Sequence, residues 1–310
     1  MRYVIVLAAS FFLLSGTVFS QGCSDAGFCT MGAMKPDQNF NRQLNLKLRT
    51  ISFQYYRGKS TASVVVDSWT MEAVIGLNDL SSVQIKVPYQ MTEGRLGSNQ
   101  GIGDISLSYT RSLKRTLKYE INATIGGKIP TNNSQAKSEG GLTLPMYYQT
   151  SLGSYDIVSG ISFLTSKWLV AFGYQKALTR TENDFTFGEW VRFPDKAYLA
   201  SYDVGIGHRR GDDIMLRVER NFRFVNSSFN VGLLPIYRIT PDSGILRARG
   251  DGASLQTTGL ALSALSGFTY FFDTRNNIKL VYGRKITARL ANPDGLTRNW
   301  VFNFIYEFRF

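Results

Sequence analysis

From residue 43 to the C-terminus the chain repeats one pattern, with apolar and polar residues taking alternate positions. A period of two is the mark of a strand with two unlike faces. Leu44, Leu46 and Leu48 alternate with Asn45, Lys47 and Arg49; the phase slips at Thr50, and Ile51, Phe53 and Tyr55 then carry the apolar face. A one-residue slip inside a strand predicts a β-bulge. Similar runs begin near Trp69, Val83, Gly103, Leu117, Tyr155, Trp168, Tyr198, Ile214, Phe229, Leu260, Ile278 and Trp300, thirteen in all. Their connections alternate in length. Asn78-Asp79, residues 114–116, Ser166-Lys167 and residues 273–277 are tight turns, whereas 131–153, 179–196, 240–256 and 287–298 are long loops.

The last run decides what the apolar face is for. Trp300, Phe302, Phe304, Tyr306, Phe308 and Phe310 occupy every second position, opposite Asn303, Glu307 and Arg309. In water a wholly aromatic face needs a second sheet to cover it; facing lipid it needs none. The run resembles the C-terminal strand of bacterial outer-membrane barrels, which ends in Phe. That resemblance makes Tyr306, Phe308 and Phe310 the candidate assembly signal, read by barrel-assembly machinery. The pattern predicts an all-β fold: a transmembrane antiparallel up-and-down β-barrel over residues 43–310, with short periplasmic turns and long extracellular loops. A single-chain bacterial barrel takes an even number of strands. Thirteen runs therefore predict about 14 strands, with 12 the alternative, and the count is open at 179–196 and 240–256.

The N-terminal end fits the same compartment. Arg2, the apolar run Val4 to Leu14 and the small-residue stretch before Gln21 read as a signal peptide over residues 1–20. No later apolar run is long enough for a spanning helix. Mean hydropathy is −0.11, as expected when a polar lumen face offsets a greasy outer one. Residues 21–42 have no clean period; a periplasmic leader and a plug that enters the lumen are both open readings. Cys23 and Cys29 are the only cysteines. In an oxidising periplasm they predict a disulfide, with a lipidated Cys23 the other reading.

If the apolar face is outside, the lumen is charged. The candidate lining residues are Lys47, Arg49, Glu72, Lys86, Lys118, Glu120, Arg217, Glu219, Arg223, Lys279, Lys285, Glu307 and Arg309. Charges of both signs in a narrow interior pair with one another, which favours a largely filled lumen. The net charge of +12 biases any aqueous path toward anions. It does not imply nucleic-acid binding, because the basic residues are scattered and form no run or motif. Catalysis has no footing: the parity of His208, the only histidine, puts it toward lipid with Val204 and Ile206. The Arg-Gly-Asp triplets at 210–212 and 249–251 read as turns. No metal or cofactor site is expected.

Three stretches carry a further resemblance: Gly101-Ile102-Gly103-Asp104 with its strand to Tyr109, Gly126-Gly127-Lys128-Ile129-Pro130-Thr131, and Thr150 to Asp156. They are similar to motifs of the MetA-pathway phenol-degradation or "transporter" family of Gram-negative outer-membrane proteins, FadL-like in fold. The resemblance implies a passive channel in the cell outer membrane for a small, hydrophobic solute; the basic excess points instead to an anionic one, and lipid and lipopolysaccharide would border the barrel. A non-transporting barrel that anchors or completes an envelope complex is the alternative, with other envelope proteins as partners.

Overall fold

In the computed structural model, Met31, Met34, Lys35, residues 47–247 and residues 256–310 are described. The signal peptide, the Cys23–Cys29 pair and most of the 21–42 segment fall outside the described residues. The alternating runs become β1 (Lys47–Ser60), β2 (Val65–Asn78), β3 (Ser81–Gly94), β4 (Gly97–Ile102), β5 (Ile105–Arg115) and β6 (Tyr119–Ile129). They continue as β7 (Asp156–Thr165), β8 (Trp168–Ala177), β9 (Val204–Arg209), β10 (Asp213–Arg223) and β11 (Ser227–Arg238). The last four are β12 (Ser243–Arg247), β13 (Gly259–Phe271), β14 (Asn276–Thr287) and β15 (Arg298–Arg309).

Each long strand pairs antiparallel with the next, and β15 returns to β1 with Tyr306 opposite Phe53. That last pairing closes the sheet, so no edge is left to meet hydrocarbon with unpaired backbone groups. The sheet has 13 strands, of which β4 pairs with β3 alone and prolongs the line of β5 beyond a break at Gly103-Asp104. The wall therefore has twelve strands, the smaller of the two predicted counts. The surplus run was the one from Tyr198 to Arg209. Its start, Tyr198-Leu199, belongs to a helical turn, Lys196–Leu199, capped by the Asp195 side chain, which accepts from the Tyr198 N–H at 2.9 Å. Its second part, β9, pairs with β12 in a two-stranded sheet of its own. The two stretches where the count was open, 179–196 and 240–256, supply no wall strand among the described residues.

Sidedness follows the alternation. On β15, Glu307 is 3% exposed and Ile305 4%, whereas Phe304 is 38% exposed. Phe53, Trp69, Met71, Ile125, Phe172 and Leu233 are exposed around the outside, while Ser52, Glu72, Ser162 and Glu219 are buried inside. This is a soluble protein's pattern turned inside out, and it has one stable solvent, the lipid hydrocarbon. The predicted bulge is present: the β1–β2 register shifts between Leu48 and Thr50, leaving Arg49 as the extra residue. Both described ends of the barrel wall, Lys47 and Arg309, lie at the rim that carries the short turns 79–80, 116–118, 166–167, 224–226 and 272–275. Short turns are periplasmic in such barrels, so the long loops 130–155, 178–203 and 288–297 face outward from the cell.

Candidate functional site: the barrel interior and its cap

The inward residues form layers along the barrel. Near the short turns, Arg115 donates to Glu120 at 2.7 Å, and Arg49 donates to the Asn78 carbonyl. The middle layer rests on three acids. Glu72 accepts from Gln54 at 2.7 Å and pairs with Lys86 at 3.2 Å. Glu307 pairs with Lys279 at 3.1 Å and Arg309 at 2.9 Å. Glu219 pairs with Arg217 at 2.5 Å and accepts from Asn230 at 3.1 Å. Lys285 is different. It is 1% exposed, and its ammonium reaches Asn299 Oδ1 at 3.4 Å with no carboxylate in ion-pair range among the described residues.

Residues from outside the wall enter this layer. Lys35 pairs with Glu72 and lies 4.0 Å from Glu307. Met31 and Met34 bury themselves against the apolar side of the lumen, formed by Val158, Leu164, Leu169, Met215, Leu234 and Leu265. They fit because the facing strands carry glycine: a Cβ at Gly126 would lie 2.8 Å from the Met31 methyl, and one at Gly160 would lie 2.6 Å from the Met34 sulfur. Between Lys35 and the β13–β15 wall a cavity of about 60 Å³ is left.

Toward the loops the charge is denser. Asp104 pairs with Lys128 at 3.1 Å and accepts from the Ser151 hydroxyl at 2.5 Å. Asp156, across from Lys128 in the β6–β7 register, takes Arg210 and accepts from Gln175 at 2.7 Å. The three motif stretches of the sequence thus meet at one place on the rim. Beside them Arg238, 0% exposed, reaches Asp213 at 2.9 Å, Asp242 at 2.9 Å and Asp294 at 3.1 Å. Burial alone would raise the Asp294 carboxyl; Arg238, Arg289 and Arg210 outweigh it and hold it well below the usual carboxylate range.

Above this layer the loops pack on one another. Leu144, Tyr147, Tyr148, Phe185, Trp190 and Tyr202 form a buried cluster. The Tyr148 and Tyr202 hydroxyls lie 3.1 Å apart, and Trp190 donates to the Thr143 carbonyl at 2.9 Å. Burial pushes both tyrosine hydroxyls above the ordinary phenol range. The loops are a folded cap with a core of their own.

Of the sequence candidates, Glu72, Lys86, Lys279, Glu307 and Arg309 come together around Lys35, and Arg217 joins Glu219. Glu120 and Arg49 sit at the short-turn rim. Arg223 is exposed at the same end, and the Lys47 side chain is outside the described residues. Lys118 is not in the lumen: β6 starts one residue later, and Lys118 is exposed in the turn. Tyr306, Phe308 and Phe310 are on the lipid side, Tyr306 donating to Asn276 Oδ1 at 2.6 Å. His208 does not face lipid. It is 0% exposed, with Nε2 2.9 Å from Asp242, because β9 belongs to the cap and its parity refers to no membrane. Sequence reasoning missed Lys35, Arg238, Arg289, Asp242 and Asp294, which lie at strand ends or in segments without a period.

A closed twelve-strand cylinder with a lipid-facing exterior defines an outer-membrane β-barrel. Its fold is similar to the COG4313 outer membrane channel from Pseudomonas putida F1, with a TM-score of 0.60 over 88% of this chain and 99% of that one at 14% identity. The NanC porin (TM-score 0.46, 8% identity, 84% of this chain and 100% of that one) and the CymD monoaromatic hydrocarbon channel (0.40, 13%, 95% and 94%) were also matched. No family model and no curated protein matches the chain.

Proposed function

We propose that the protein is an outer-membrane channel for passive diffusion of a small solute, held closed in the state described. The observation that carries this reading is what fills the interior. An eight-stranded barrel is filled by its own side chains. Twelve strands enclose more room, and here the room is taken by Met31, Met34 and Lys35 and by loops folded over the mouth. A barrel closed by parts that are not its wall can open without unfolding. The basic excess of the middle layer supports anion preference. The resemblance of the stretches 101–109, 126–131 and 150–156 to the phenol-degradation family supports a small, partly apolar solute.

Planar-bilayer recording of the purified protein tests this. Discrete openings, with a reversal potential displaced toward the anion in a salt gradient, are expected. A silent bilayer, with an envelope protein co-purifying in fixed ratio, would overturn the channel reading in favour of an anchor or subunit.

A further inference from the structure

Where β1 meets the end of the chain, the lipid-facing surface changes character at one level. Going up from the short turns, the outward positions of β1, β15 and β14 are apolar or aromatic as far as Tyr55, Phe302 and Tyr282. They then reach Lys59, Trp300 and Arg284, which stand in one row, with Trp300 opposite Lys59 on one side and Arg284 on the other. A strand needs roughly 9–11 residues to cross the hydrocarbon, and all three stand about nine residues from the short-turn rim. The row therefore lies at the outer boundary of the membrane. A cation on the lipid face is costly at the midplane and cheap only at such a boundary. An indole, apolar in body and polar at its N–H, belongs at the same depth.

The charge on this patch is of one sign. From Ile51 onward no acid occupies an outward position on β1, β14 or β15, and the turn above Lys59 is Thr61-Ala62-Ser63-Val64. Arg57, one step below Lys59 on the same face, pairs with Asp67 on β2 at 3.7 Å. Glu93 on β3 lies two strands from Lys59, beyond Val65. Two strand spacings, roughly 10 Å, separate the backbones of Lys59 and Arg284, so their long side chains can meet on one phosphate group over Trp300. Arginine and lysine clustered at headgroup depth are suited to phosphate, with which they form charge-assisted hydrogen bonds.

We propose that Lys59 and Arg284 bind a phosphate of the phosphorylated glycolipid of the outer leaflet, its acyl chains running down the Phe302, Phe304 and Tyr282 surface. The inference goes beyond the channel reading and stands on the outer-membrane placement alone, whether or not the barrel conducts.

Native mass spectrometry of the full-length protein in a neutral detergent, titrated with bis-phosphorylated lipid A, tests it. Saturable binding is expected, and dephosphorylated lipid A should bind at least about tenfold more weakly. The double variant Lys59→Gln/Arg284→Gln should lose affinity by a similar factor. Lys59→Arg/Arg284→Lys, which keeps both charges, should retain it. Arg220→Gln is the control: Arg220 is also outward, over the Trp168 ring at 4.9 Å, but at the short-turn end of β10. It should leave binding unchanged. Heat-modifiability on SDS gels shows that each variant has kept its barrel. Equal binding of the two lipids, undiminished binding in the double glutamine variant, or an equal loss in Arg220→Gln would overturn the assignment. Displacement of lipid A by millimolar inorganic phosphate would also overturn it, in favour of a site for the free anion.

Discussion

Arg238 illustrates how one side chain holds the cap to the barrel. Its guanidinium is shared by Asp213 on β10 and by Asp242 and Asp294 in two separate loops. Its planar fork donates twice to Asp213, twice to Asp242 and once to Asp294, more bonds than the three donors of an ammonium can supply. Arg238→Ala would leave those acids buried without their common counter-charge, a loss on the order of 3–5 kcal/mol. Heat-modifiability on SDS gels should show unfolding at lower temperature for Arg238→Ala, with Arg238→Lys between it and wild type. The pH dependence has a definite sign. The Asp294 carboxyl is depressed in the folded state, so its stabilisation is fully present above the unfolded value of about 3.9 and is lost as pH falls through the lower folded value. The wild-type transition should be insensitive to this group at neutral pH and fall only in strong acid. A transition that already weakens between pH 7 and 5 would mean that other groups control the cap.

At the scale of the strand, β15 makes the sidedness measurable. Phe304 is mid-strand and points outward; Asn303 beside it points inward. An outward Phe304→Arg puts a charge in the hydrocarbon, at about 2–4 kcal/mol for the bilayer midplane. Asn303→Arg faces the polar lumen and should cost clearly less. Folding titrations into lipid vesicles in urea should separate the two; equal costs would contradict the assigned faces. The faces were legible in the sequence because lipid contact enforces strict alternation, and so was the bulge at Arg49. What misled was length. Val204, Ile206 and His208 alternate as a wall strand does, yet β9 has 6 residues, fewer than the 9–11 that cross a bilayer. The aromatic positions Tyr198 and Tyr202 extended the apparent run, although Asp195 ahead of Tyr198 is a helix N-cap signal. Cap residues such as Asp242 and Asp294 could not be found by parity at all, since loops obey no period. Lys35 was hidden for the same reason.

For the molecule as a whole, the question is whether the interior filling can leave without the wall. The charges say that it can. Glu72 keeps Lys86, and Glu307 keeps Lys279 and Arg309, when Lys35 is taken away. Both wall acids thus keep a counter-charge from the wall, and Lys35 is a further tie between them and the residues inside. Lys35→Glu would set a third carboxylate between Glu72 and Glu307, so the tie becomes repulsion while the strand pairing and the apolar contacts of Met31 and Met34 are untouched. Single-channel recording should then show a higher open probability or a larger conductance than wild type, with the heat-modifiable barrel intact on gels. Lys35→Gln, which cuts the tie without repulsion, should lie between the two. If Lys35→Glu conducts as wild type does, the obstruction is the loop cap instead. Arg238→Ala, which loosens that cap, would then be the variant that opens.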